Sequence, residues 1–130
     1  MKINKVIFFF SLLILVVSSA FKPMGEVEKI GDALKTGNTA LLSGWMNSSV
    51  QIATPETEGF FSKAQATLVL ERFFAVNVPN SGSIVHQGSS QNGATFAIYE
   101  IQTSHGTFRV NVFLKQTGNN LLIQELKIEK

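Results

Sequence analysis

Cysteine is absent from the 130-residue chain. That excludes a disulfide framework and the lipidated cysteine of a lipoprotein anchor. Histidine occurs only as His86 and His105, with no H-E-x-x-H pair and no Asp-rich loop, so no metal site is expected. No glycine pattern follows a strand and opens a helix as a nucleotide-binding loop does, and no G-x-S-x-G elbow occurs, so no cofactor is expected either. Internal repeats, low-complexity segments and linkers are also missing.

The longest apolar run is too short to span a bilayer comfortably. Lys2 and Lys5 precede it, and it extends from Val6 to Val17, interrupted only by Ser11. Those 12 residues fall within the roughly 7–15 of a signal-peptide core and below the roughly 18 of a membrane span. Ser18-Ser19-Ala20 supplies the small residues that a signal peptidase reads, and Pro23 follows. The sequence therefore predicts a signal peptide over residues 1–20, a single domain over 21–130, and export to the periplasm or beyond. No membrane span is expected after cleavage. Without Lys2 and Lys5, nine basic residues remain against nine acidic ones. The formal charge of +2 on the whole chain thus belongs to the leader, and the neutral domain offers no argument for nucleic acid as a partner.

Val27, Ile30, Ala33 and Leu34 recur at helical spacing between Met24 and Lys35, and Gly37 stops that helix. Asn38 can cap a shorter helix carrying Leu41, Leu42, Trp45 and Met46. Val50 and Ile52 alternate with polar neighbours as a strand. Residues 55–59 are turn-like, and Phe60-Phe61 begins a return strand. Ser62 and Gln65 have capping-box spacing ahead of a helix over Lys63–Asn77, with Ala66, Leu70, Phe73 and Phe74 on one side. From Ser83 onward, turns at Asn92-Gly93, His105-Gly106 and Thr117-Gly118-Asn119 separate four antiparallel strands. The resulting registers place Ala97, Tyr99, Ile101, Phe108, Val110, Val112 and Leu114 on one core face. They add Leu122, Gln124, Leu126 and Ile128, and set His86 opposite Tyr99 on that face.

This order, ααββαββββ, resembles the cystatin-like α+β folds, and within them the nuclear transport factor 2-like cone, in which helices pack on a curved antiparallel sheet. Residues 61–66 (FSKAQA), 86–90 (HQGSS) with Asn92-Gly93-Ala94, 106–110 (GTFRV) and 122–126 (LIQEL) resemble a secreted Bacteroidetes family, domain of unknown function 4783. The wider fold hosts isomerases, dehydratases, epoxide hydrolases and non-catalytic binding modules, so the resemblance implies a fold and no single activity.

A cone of this type implies an apolar pocket between sheet and helices. Polar residues on the core face are then the candidates to orient a ligand: His86, Tyr99 and Gln124, with Trp45, Phe73 and Phe74 as walls. The competing reading is structural, with Tyr99 bonded to His86 and Gln124 satisfying backbone near a sheet end. Isomerase-type chemistry needs a carboxylate base inside the cone. Here Glu26, Glu28 and Asp32 lie on a polar helix side, Glu56 and Glu58 in a turn, Glu71 towards solvent and Glu100 on the outer sheet face. The expected function is an exported, non-catalytic binding or interaction module. It would hold a small apolar ligand in the cone, or form a homodimer through an outer face bearing Phe96, Ile98, Phe113 and Ile123. The alternative is a lyase or isomerase using His86 and Tyr99.

Overall fold

In the computed structural model, residues 25–130 are described, and the predicted signal segment lies outside them. The first helix, α1 (Glu26–Thr36), buries Val27, Ile30, Ala33 and Leu34, the stripe that the three- and four-residue spacing requires. Gly37 ends it at φ 65°, a left-handed conformation that costs glycine no Cβ clash. The Gly37 and Asn38 amides then donate to the Leu34 and Ala33 carbonyls, closing the helix. Asn38 caps α2 (Thr39–Ser43) by accepting from the Leu41 amide at 3.0 Å. Trp45 and Met46 lie beyond this helix, and Met46 opens β1 (Met46–Ala53).

After the turn at residues 54–57, β2 (Glu58–Ser62) returns antiparallel to β1. Ser62 and Gln65 then form both halves of the capping box of α3 (Lys63–Val76). The meander that follows comprises β3 (Pro79–Ser89), β4 (Ala94–Thr103), β5 (Gly106–Thr117) and β6 (Asn120–Glu129). Its first strand begins four residues earlier than the expected Ser83, because Pro79 pairs with Thr103 at the sheet edge, where a missing amide is tolerated. All strands form one sheet in the order β2-β1-β6-β5-β4-β3. The pairing of β1 with β6 is parallel, so the sheet is mixed where the sequence suggested an antiparallel one. The helices pack on one side of this sheet, enclosing the core.

Two bulges, one displaced turn and two changed loop lengths alter the expected registers. Between β4 and β5 the two-residue turn is Ser104-His105, so Glu100 faces Arg109 and Tyr99 faces Val110. This is a shift of two residues, which preserves faces, and every β4 and β5 residue assigned to the core is buried. Between β3 and β4 the loop spans residues 90–93, and a bulge interrupts the ladder between Ile84 and His86. Ile84 faces Tyr99, whereas His86 faces Ile98 on the opposite side of the sheet. A second irregularity, between Phe113 and Leu114 on β5, shifts the phase of β6 at Gln124. Ahead of it the β5–β6 turn is the two residues Gly118-Asn119 where three are expected, so Ile123 is buried, while Leu122 and Gln124 are only half-buried. Bulges bend a strand and increase its twist, which is how a long sheet wraps helices.

Candidate functional site

Tyr99 stands at the centre of the inner sheet face and is fully buried. Its hydroxyl donates to the Val27 carbonyl on α1 at 2.6 Å, satisfying the one polar group that its ring carries into the core. Gly31 lies over the ring, where a Cβ would come within 2.9 Å of Tyr99 Cε1, so the helix can approach only without a side chain there. Burial, and secondarily the Glu28 carboxylate, push the Tyr99 hydroxyl above the ordinary tyrosine range. It is a donor held between helix and sheet.

His86 does not join it. The bulge turns His86 to the exposed outer face, with its ring 5.6 Å from that of Phe96. The expected pairing of His86 with Tyr99 is therefore corrected, since one inserted residue exchanges the two faces of a strand. Gln124, at the β6 irregularity, accepts from Asn47 Nδ2 at 3.1 Å and donates to the Leu122 carbonyl at 3.4 Å. Trp45 is half-buried, and its indole N–H donates to Glu26 Oε2 at 2.5 Å. Phe74 is buried in the main core. These five residues do not line one common cavity among those found in the described residues.

A cavity of about 650 Å³ lies elsewhere, between α3, the β1–β2 turn and the β4–β5 turn. Phe61, Val69, Phe73, Val76 and Phe108 provide its apolar wall, while Glu56, Arg72, His105 and Lys130 stand among its polar lining. Val69, Phe73 and Val76, with Arg72, recur at three- and four-residue spacing on one side of α3. Ala66, Leu70 and Phe74 form a second stripe, which faces the core. Phe73 contacts both Phe74 and Phe108 edge to face, with ring centroids 5.3 and 5.1 Å apart, and so separates core from cavity. Lys130 Nζ stands 5.6 Å from the centre of the Phe108 ring.

Of the aromatic walls expected from sequence, Phe73 alone lines this cavity. The residues missed are Phe61, Val69, Arg72, Val76, His105, Phe108 and Lys130. The Val69, Arg72, Phe73 and Val76 stripe of α3 is legible in the sequence and could have indicated four of the lining positions. The convergence of Phe61, His105 and Lys130 requires the tertiary fold. Among the described residues, no cluster of three or more His, Cys, Asp or Glu side chains could hold a metal ion. None of their helices is long and apolar enough to cross a membrane.

The sequence from residue 27 to 129 matches the family model described as a domain of unknown function (DUF4783). A DUF4783 family protein from Bacteroides ovatus is 31% identical, with a TM-score of 0.74 over 78% of this chain and 92% of its own. A second, from Bacteroides uniformis, is 26% identical, with a TM-score of 0.77 over 82% and 97% of the two chains. An NTF2-like protein of unknown function from Cytophaga hutchinsonii shares the fold at 13% identity, with a TM-score of 0.56 over 84% and 93%. No curated protein matches the chain.

Proposed function

The chain belongs to the DUF4783 family, with an NTF2-like α+β fold, and from that premise we propose that it is an exported, non-catalytic module that holds a small apolar ligand. The cavity against α3 carries this reading. Its volume of about 650 Å³ lies within the roughly 300–1,000 Å³ of small-molecule sites, and aromatic and aliphatic side chains dominate its wall. The lyase or isomerase alternative has less support. Its two proposed residues lie on opposite faces of the sheet, and Tyr99 already spends its hydrogen on Val27. Export rests on Lys2, Lys5, the run from Val6 to Val17 and Ser18-Ser19-Ala20.

Nile red, a neutral dye whose emission rises in apolar surroundings, tests the binding reading on the protein from residue 21 onward. Saturable binding at one site per chain is expected. Unchanged emission across the titration would sink the proposal.

Pairing through the outer face is a second proposal, favoured by the side chains that this face leaves open. Phe96 and Phe113 are direct cross-strand partners, yet 42% and 40% exposed, and Val85 at the bulge is 45% exposed. Glu100 and Arg109, also paired across β4 and β5, give the surface both signs of charge, as a self-complementary two-fold contact requires. Light scattering behind a sizing column should return twice the chain mass, and Phe96→Lys should return the chain mass. A monomer at every concentration would remove the dimer.

A further inference from the structure

On the reading that the cavity against α3 binds a small ligand, we infer that the ligand is an amphipathic anion: a single-chain carboxylate of medium length, with its tail against Phe61, Phe73 and Phe108 and its head at Arg72 and Lys130.

The charge around the cavity is not that of the domain. The charged side chains of residues 21–130 are formally balanced, whereas the cavity lining includes two basic side chains, Arg72 and Lys130, and one acidic side chain, Glu56. His105, in the β4–β5 turn, also lines the cavity. The ion pairs among the described residues are Lys29–Glu26, Lys35–Asp32 and Lys127–Glu129. Arg72 and Lys130 therefore pair with no acidic side chain there. Both stand against apolar surface: Lys130 over the face of Phe108, and Arg72 on the same side of α3 as Val69 and Val76.

A neutral ligand would cover these cations without replacing their water, and a cationic one would be repelled. A carboxylate accepts from a guanidinium through two parallel hydrogen bonds and from an ammonium through another, so it is the head group that each of these two side chains favours. The tail would meet hydrocarbon, since Phe61, Val69, Phe73, Val76 and Phe108 form the apolar part of the wall. Taking a methylene to occupy about the volume of a water molecule, roughly 30 Å³, ten carbons fill roughly half of the cavity. A tail of that size fits without the cavity having to enlarge.

The test is displacement of Nile red by decanoate, 1-decanol and decylammonium below their aggregation concentrations, with hexanoate and octanoate extending the series. Decanoate should displace the dye at about one-tenth the concentration that decanol requires, with decylammonium weakest. Affinity should rise about fourfold per methylene from hexanoate to decanoate. In the Arg72→Gln, Lys130→Gln double variant, scaled to its own Nile red affinity, the decanoate-to-decanol ratio should fall to about one. Added salt should lower the wild-type ratio in the same direction. If Nile red binds but decanoate and decanol compete equally, or the variant keeps the preference, the carboxylate inference is overturned and the cavity reading stands. If neither dye nor amphiphile binds, the cavity reading falls and the inference falls with it.

Discussion

Tyr99→Ala is expected to lower the unfolding free energy by about 3–5 kcal/mol, whereas His86→Ala should change it by no more than about 0.5 kcal/mol. The contrast follows from the bulge beside Ile84. Tyr99 is fully buried beneath α1, and deleting its ring removes contacts with that helix and opens a void that close-packed neighbours fill poorly. His86 is exposed, and its one aromatic neighbour among the described residues is Phe96. A loss of about 3–5 kcal/mol is a large part of the roughly 5–15 kcal/mol that holds an ordinary domain together, so Tyr99→Ala should unfold at much lower urea. Comparable losses from both substitutions would show that the two side chains pack together after all.

Tyr99→Phe isolates the hydroxyl and should cost about 1 kcal/mol at neutral pH, the net contribution of one hydrogen bond. Its pH dependence has a definite sign. The folded protein holds the Tyr99 proton more tightly than the unfolded chain does, so this contribution is complete below about pH 10, where an unfolded tyrosine begins to ionise. It is lost as pH rises from there towards the folded value. Wild type should therefore lose its advantage over Tyr99→Phe in urea titrations above about pH 10. A constant difference would mean that the hydroxyl is not held as described.

Val76→Trp should weaken Nile red binding at least tenfold while leaving thermal unfolding within a few degrees of wild type. Val76 lines the cavity but is 61% exposed, so an indole can occupy the opening without disturbing the core. Leu70→Ala provides the opposite control. Its side chain is fully buried on the other stripe of α3, and its loss should cost about 2–5 kcal/mol without changing the cavity wall. Undiminished dye binding by Val76→Trp would place the dye elsewhere.

Helix ends and face assignments were legible because local chemistry determines them. Gly37 accommodates a positive φ, Asn38 and Ser62 supply cap oxygens, and the alternation in β4 and β5 survives a register error of two. His86 changes faces at the β3 bulge, while Leu122, Ile123 and Gln124 do so because the β5–β6 turn has two residues where three are expected, a phase that the bulge at Gln124 then restores. A bulge adds a residue to one strand without leaving a composition signal, and all positions beyond it exchange faces. The sheet needs those bulges to curve, so the places where alternation fails are where global shape overrides local pattern.

The cavity was hidden for a different reason. The polar residues on the core face drew attention to Tyr99 and Gln124, but they satisfy backbone or neighbouring side-chain groups. In sequence Phe108 reads as core and Phe61 only as part of a return strand, whereas Phe73 is expected as the wall of a pocket placed elsewhere in the cone. Only packing decides that Phe74 closes the core while Phe73, one residue earlier, faces the cavity.

The most direct test is to follow aromatic and methyl NMR resonances of the protein from residue 21 onward as Nile red is added. The largest shifts should fall on Phe61, Val69, Phe73, Val76 and Phe108, with Tyr99 and Phe96 nearly unmoved. Shifts centred on Phe96 and Phe113, or spread over the whole surface, would contradict a ligand cavity against α3.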